Sequence, residues 1–452
     1  MPANRLVLLI FCLMIVPALH AQAPSLTCSP APCVLPNVQV SQSSFILPYS
    51  LSLDPADSQH LATGESDLTC TTVYVSNDGG ATWTNHCSNA GGWPAFAFGP
   101  NGIINGAGIG PDHVCAPDCD ESVGQFSSSA DNGVTWSKPV LSAPHALGFG
   151  VQYSQIQVDN NPASPRFGAI YISALQYGGA PLITAIGVSH STDNGATWKL
   201  VPVDSTQNSP FEDFESHLAI GSDGTVYVTW LRCRVSGGGT SCPGQTATLL
   251  FSKSTDGGRT WSAPSLMGNP TLVPKNPQCG SAGIENLPNT CWFTQDVPVI
   301  AVDNSGAAFS GRLYGTFYNW TGTFMQVLVV NSTDGGATWS TPVAVAASND
   351  NHDQFAPSLS VSNSGTLGVT WQDRFRDPAN IKYQPFAAFS NDGGATFFNR
   401  VALSSVPSNP RISTNAFTYP TINLWSGNTF YALWQDTRTG ESLAWIGGIK
   451  LQ

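Results

Sequence analysis

The sequence predicts an all-β chain folded as a β-propeller of four-stranded antiparallel blades. A motif, Ser-x-Asp-x-Gly-x-Thr-Trp, returns along the chain, and each copy follows apolar runs of period 2 separated by Gly, Asn or Asp turns. Composition agrees. Charged residues make up 10% of the 452 residues, against roughly 25% in an average domain, while 44 Gly and 33 Pro supply many turns. With 13 Trp and 22 Phe the chain has ample apolar surface to bury and does not read as disordered. A net charge of −12 excludes a nucleic-acid binder, which needs a basic face for the phosphates.

The chain opens with an address. Arg5 precedes an almost wholly apolar run, Leu6 to Leu19, and Ala21-Gln22-Ala23 offers a small-residue cleavage site. Residues 1–23 therefore read as a signal peptide and 24–36 as an N-terminal linker. No later run reaches the ~18 apolar residues of a membrane helix. The expectation is a secreted or periplasmic monomer with no membrane insertion.

Setting Cys12 aside, ten cysteines fall into five close pairs: Cys28–Cys33, Cys70–Cys87, Cys115–Cys119, Cys233–Cys242 and Cys279–Cys291. Clustered cysteines in even number in an exported chain read as local disulfides. Cys115 and Cys119 have a competing reading as zinc ligands, because Asp112, His113 and Asp118 lie beside them. A structural calcium ion on Asp112, Asp118, Asp120 and Glu121 is a further alternative, without regular ligand spacing. No other cofactor is expected.

The motif stands at Ser76–Trp83, Ser129–Trp136, Ser191–Trp198, Ser254–Trp261 and Ser332–Trp339, with a sixth copy, Ser390–Phe397, ending in Phe. Each follows a short strand such as Thr72-Val73-Tyr74-Val75 or Leu249-Leu250-Phe251. Hairpins stand ahead of these strands, as in Leu218-Ala219-Ile220 and Val226 to Trp230 around Ser222-Asp223-Gly224. Each unit thus reads strand, turn, strand, loop, strand, motif, strand. A last unit at Pro420–Gln452 has three strands and no motif, and Val38-Gln39-Val40-Ser41 can supply its fourth. That gives a single domain over 37–452 with seven blades and a ring closed by an N-terminal strand, or six blades if one unit is an embellishment. Within the motif, Asp accepts backbone N–H groups across the turn, Gly takes positive φ, and Thr and Trp fix the hairpin. That role is structural.

Ser-x-Asp-x-Gly-x-Thr-Trp is the Asp-box, or BNR repeat. Its six copies, spread over nearly all of 37–452, resemble the sialidase-like propeller superfamily. That superfamily includes sialidases, other glycoside hydrolases, sorting receptors and non-catalytic assembly factors, so the resemblance implies a fold rather than one activity.

In such a meander the loops after strand 2 and the loops entering strand 1 share a face, and the motif turns open on the other. The sequence concentrates its charge on the first. Entering strand 1 are Glu212, Asp213, Glu215, His217, Asp353 and the hydroxyl of Tyr419; leaving strand 2 are Glu65, Asp67, Arg232, Asp373, Arg374, Arg376, Asp436 and Arg438. Carboxylates and guanidiniums converging on one funnel can hold a polyhydroxylated ligand through bidentate hydrogen bonds. The same pairs can instead staple neighbouring loops, the favoured reading for Trp371-Gln372-Asp373-Arg374 and Trp434-Gln435-Asp436-Thr437-Arg438. Trp230, Trp371 and Trp434 can stack on sugars or pack in the core.

The resemblance to sialidases implies Tyr419 as nucleophile, Glu215 as its activating base and Asp67 as acid/base, with Arg232 and Arg374 as two members of an arginine triad. Sialidases carry Arg-Ile-Pro on the first inner strand, where this chain has Ile46-Leu47-Pro48, so the third arginine is missing unless Arg411 replaces it. The expected function is recognition of a glycan or glycoconjugate, with Arg232, Arg374, Asp373, Arg376, Asp436, Arg438 and Asp353 as contacts. A retaining exo-sialidase-type glycoside hydrolase is the alternative, or one built on a carboxylate pair such as Glu215 and Asp373. A non-catalytic protein-interaction or assembly propeller is the third.

Overall fold

Seven antiparallel sheets stand in a ring, each with its first strand at the centre. The computed structural model describes residues 26–42, 50–66, 70–111, 122–144, 148–178, 183–206, 210–234, 242–279, 285–294, 297–346, 351–412 and 421–452. The inner strands, in blade order, are Leu51–Leu53, Gly92–Phe98, Gly148–Val158, Glu212–Ile220, Val299–Val302, Gln354–Val361 and Ile422–Ser426. Blades 1 to 6 each have four strands in sequence order, and the seven-bladed reading holds.

The seventh blade is completed from the other end of the chain. Val38–Gln39 pairs with Trp445–Ile446 on the last strand, Leu443–Lys450, as the sequence suggests. Cys33–Val34, in the stretch read as a linker, adds a second short pairing to Ile449–Lys450 of the same strand.

Neighbouring sheets bury their facing side chains against each other. Between blades 3 and 4, Tyr171, Ile186 and Val188 meet Leu218, Val228 and Trp230; between blades 5 and 6, Tyr314 and Val327 meet Leu359 and Trp371. Trp434 fills the same role between blades 6 and 7. All three second-strand tryptophans are buried, so they pack the core and offer no surface to a sugar.

The inner strands also satisfy one another's backbone. Ser50 and Ser52 accept the N–H groups of Phe96 and Phe98 in the next blade, both at 2.8 Å, and Gln155 accepts that of Leu218 at 3.2 Å. Inner-strand donors are thereby paired without a further strand.

The six repeat turns share one hydrogen-bond pattern. In the first, Asp78 accepts the Thr82 N–H at 2.9 Å and the Thr82 hydroxyl at 2.6 Å, while Ser76 donates to Asp78 and accepts the Gly80 N–H. Asp193 is held the same way, and its carboxyl sits at about 2, lowered chiefly by the Thr197 hydroxyl. The turn glycine has φ +81° at Gly195, and a Cβ there would stand 2.0 Å from Phe126 of the preceding blade. Trp198 packs on that same ring with centroids 5.0 Å apart and the planes tilted by 54°. This turn therefore locks blade 3 to blade 2, a contact only glycine permits, and Gly336 meets Phe251 of blade 4 in the same way.

Disulfides join Cys28–Cys33, Cys70–Cys87, Cys233–Cys242 and Cys279–Cys291. Cys115 and Cys119, with the acidic residues around them, lie outside the described residues.

Candidate functional site

The inner strands enclose a central cavity of about 370 Å³, with Ser52, Gln157, His217, Ser358 and Asn423 among its polar lining. Toward the face that carries the strand-2 loops, four of these strands break register, at Gly92/Ala95, Gln152/Gln155, Phe214/Ser216 and Phe355/Ser358. At two of the breaks a residue other than glycine is left-handed, Trp93 at φ 52° and Ala356 at φ 51°. Bulges of this kind re-aim side chains and gather near functional sites.

In blade 4 the extra residue is Glu215, since Phe214 pairs with Leu231 and Ser216 with Trp230. Its side chain is only 7% exposed, and burial pushes its carboxyl up to about 8. No described residue bonds to it. Two residues on, His217 lines the cavity and its Nδ1 accepts the Ile300 N–H at 3.4 Å. Burial pulls this imidazole down to about 4, so it is neutral at physiological pH.

Glu212, on the same strand, is half-buried and also without a hydrogen-bond partner among the described residues, and burial raises its carboxyl. The remaining described acids on this face are engaged. Arg232 holds Asp213 through two bonds of 2.6 and 2.8 Å and reaches Asp204 at 2.9 Å. Burial still lifts the Asp213 carboxyl to about 6 against the pull of Arg232. Asp436 accepts the Trp434 indole N–H at 3.0 Å and Arg438 at 2.6 Å, with Arg438 lying 4.2 Å over the Trp445 ring. Asp373 accepts the Trp371 indole N–H at 2.6 Å and the Arg400 guanidinium at 2.7 Å. Arg400 in turn covers the Phe375 ring at 4.1 Å. Glu65 is buried and accepts the Tyr74 hydroxyl.

Arg374 departs from its expected role. It is 0% exposed and donates to Asp353 at 3.0 Å and to the Pro288 carbonyl at 2.7 Å. Asn380 and the Met325 N–H complete the shell of Asp353. Neither Arg374 nor Asp353 presents a charge to a ligand; they form a buried staple. Arg376 is exposed, 5.6 Å over the Phe386 ring. Arg411 donates to the Asn289 carbonyl at 2.8 Å. Tyr419, Asp67 and Ile46 lie outside the described residues.

The folded chain thus keeps Glu215 and Arg232 together on blade 4 and sets Asp373, Arg374 and Asp436 apart as structural acid–base pairs. Sequence reasoning missed Asp204 and Arg400. Both sit on the fourth strands that directly follow a motif copy, outside the motif itself and outside the loops where the sequence concentrates its charge.

No family model matches this chain, and no curated protein matches it. Among solved structures, the chain is similar to a polysaccharide lyase, a PL25 ulvan lyase, at TM-score 0.55 and 12% identity over 90% of this chain and 97% of that one. A PL25 ulvan lyase bound to a GlcA(1-4)Rha3S unit is matched at TM-score 0.52 and 11% identity, over the same shares. A leech intramolecular trans-sialidase is matched at TM-score 0.44 and 12% identity, over 73% of this chain and 65% of that one. At these identities the likeness is one of fold: a ring of antiparallel blades.

Proposed function

We propose that this chain is a secreted, sialidase-like Asp-box propeller that recognises glycans on the face of the strand-2 loops, with Glu215 at the centre of the site. Glu215 carries the reading. On a face where Asp213, Asp353, Asp373 and Asp436 each hold an arginine, Glu215 is buried with no partner among the described residues. An unpartnered buried carboxyl is costly, and such groups gather where a ligand completes their hydrogen bonds. Being neutral at pH 7, it offers one donor and one acceptor, a match for a sugar hydroxyl. Four disulfides fit an exported protein. Proteins of similar fold include lyases that act on polysaccharide, which supports the same ligand class.

A second reading, glycoside hydrolysis, is favoured by the raised Glu215 carboxyl, which is pre-set as a proton donor at neutral pH. It assigns Tyr419 as nucleophile and Asp67 as the second acid, from the sialidase resemblance. A Glu215 that keeps its proton to about pH 8 does not deprotonate Tyr419 at pH 7, so proton donation is the role we assign it. Asp373, spent on Trp371 and Arg400, is not its carboxylate partner.

A glycan array and an aryl-sialoside assay, run on wild type, Glu215→Gln and Glu215→Ala, separate the two. Glutamine mimics the protonated carboxyl. Glycan recognition therefore predicts binding kept in Glu215→Gln and lost in Glu215→Ala. Hydrolysis predicts that Glu215→Gln also loses turnover by about 10² or more. Wild type that binds no glycan, or Glu215→Ala that binds as wild type does, refutes the reading.

A further inference from the structure

Blade 4 ends at Gly268 and the chain re-enters the ring at Val299. The described residues of the excursion between them, 269–279, 285–294 and 297–298, lie on the same face that holds Glu215 and are tied down at several points. Cys279–Cys291 closes it, and Asn276 donates to the Thr290 carbonyl at 3.0 Å. Arg374 holds the Pro288 carbonyl, Arg411 holds that of Asn289, and Asn289 donates to Asn380 of blade 6 at 3.2 Å. Trp292 packs against Tyr383 with ring centroids 6.1 Å apart.

Between this excursion and the end of the second strand of blade 5 lies a groove of about 310 Å³. One wall is Trp320. Part of its side chain packs on the core, its backbone N–H donates to Thr271 at 2.8 Å, and neighbouring Asn319 accepts the Thr271 N–H at 2.9 Å. The indole is half-buried, lines the groove, and its N–H donates to no described residue. Pro274, Pro277 and Pro288 stiffen the opposite wall; the Gln278 backbone N–H donates to Asn276 Oδ1 at 3.0 Å, and its exposed side-chain amide bonds to no described residue. Lys275 is the one charged side chain among the described residues lining the groove, in a chain whose net charge is −12.

We propose, resting on the glycan reading above, that this groove is a second sugar subsite: a pyranose ring lies on the Trp320 indole and its carboxylate or sulfate substituent meets Lys275. The C–H face of a pyranose is apolar and weakly positive, so it suits the negative face of an indole. A rigid ring on a rigid wall loses little conformational entropy on binding. Lys275 and the absence of any carboxylate among the described lining residues select an anionic ring over a neutral one. Groove and Glu215 lie on one face, so a single oligosaccharide spanning both gains affinity with length.

The test uses the full protein on immobilised oligosaccharides of graded length that carry uronic acid, sulfate or neither. Wild type, Trp320→Ala, Trp320→Phe, Lys275→Gln and Glu215→Ala are compared, with melting temperatures as a check on folding. Trp320→Ala should weaken binding of the longer acidic chains about tenfold or more, and Trp320→Phe should restore most of it. Lys275→Gln should weaken acidic chains about threefold, leave neutral ones unchanged and flatten the salt dependence. If the longer acidic chains bind wild type and Trp320→Ala equally while Glu215→Ala abolishes binding, the groove is no subsite and the glycan reading stands. If wild type binds none of the glycans, that reading fails and the subsite fails with it.

Discussion

Replacing Glu215 by Gln should make the protein more stable in alkali, the reverse of what most buried substitutions do. The carboxyl has an ordinary value of 4.5 and is pushed up to about 8 by burial. Below 4.5 the folded and unfolded chains both hold the proton, and the buried group carries no ionisation penalty. As pH rises, the unfolded chain releases its proton first, and the folded chain keeps its own until about 8. Stability therefore falls between those values and levels off above them. The gap converts to about 5 kcal/mol as a ceiling. Water entering the channel and local relaxation shield part of this, so about 2–4 kcal/mol is expected. Glutamine has nearly the same volume, keeps a donor and an acceptor, and does not titrate. The contribution of His217 is common to both proteins and cancels in the difference. Guanidinium unfolding of wild type and Glu215→Gln at pH 5 and pH 9 measures the effect. The variant should be ahead by no more than about 1 kcal/mol at pH 5 and by about 2–4 kcal/mol at pH 9. A difference that stays constant across the range would mean that Glu215 titrates as an exposed carboxyl, and the reasoning for a buried, unpartnered acid would be refuted.

Asp256→Ala removes the acceptor of the Thr260 N–H, the Thr260 hydroxyl and the Ser254 hydroxyl, and should cost about 1–3 kcal/mol of stability with glycan binding intact. Binding lost at an unchanged unfolding midpoint would place function on the wrong face. Arg374→Met leaves Asp353 buried with only amide donors and should destabilise by about 3–5 kcal/mol. It also frees the Pro288 carbonyl, so binding of long acidic chains should fall with it. A midpoint equal to that of wild type would contradict the buried pair.

The fold was legible because the repeat turns are local. Asp78 and Thr82, or Asp193 and Thr197, bond across four residues of chain, so their geometry is written as spacing in the sequence. The site was less legible because its partnerships cross strands and blades. Asp373 and Arg374 are adjacent in sequence, but the alternation of a strand sends them to opposite sides. Asp373 then meets Arg400, at the far edge of its own sheet, while Arg374 meets Asp353. Trp371 and Trp434 stand two residues before an aspartate in both copies, and that spacing marks an indole capping a carboxylate inside the blade. The isolation of Glu215 depends on a bulge, for which no residue near Phe214 gives a signal. Of the Trp320 groove, only the Cys279–Cys291 pair was visible beforehand.

Closure of the ring through Val38–Gln39 and Leu443–Lys450 imposes an order on biosynthesis. The strands that seal the propeller leave the ribosome first, and their partner leaves last. Until Leu443 emerges, the N-terminal strands have nothing to pair with and the flanks of blades 1 and 6 stay open. Unpaired strand edges of this sort invite other chains, and long-range pairings form slowly. A nascent chain is thus kept from premature sealing by its own topology. A chain cut short by even its last strand leaves the N-terminal strands and Thr429–Asp436 without their partner and the ring open.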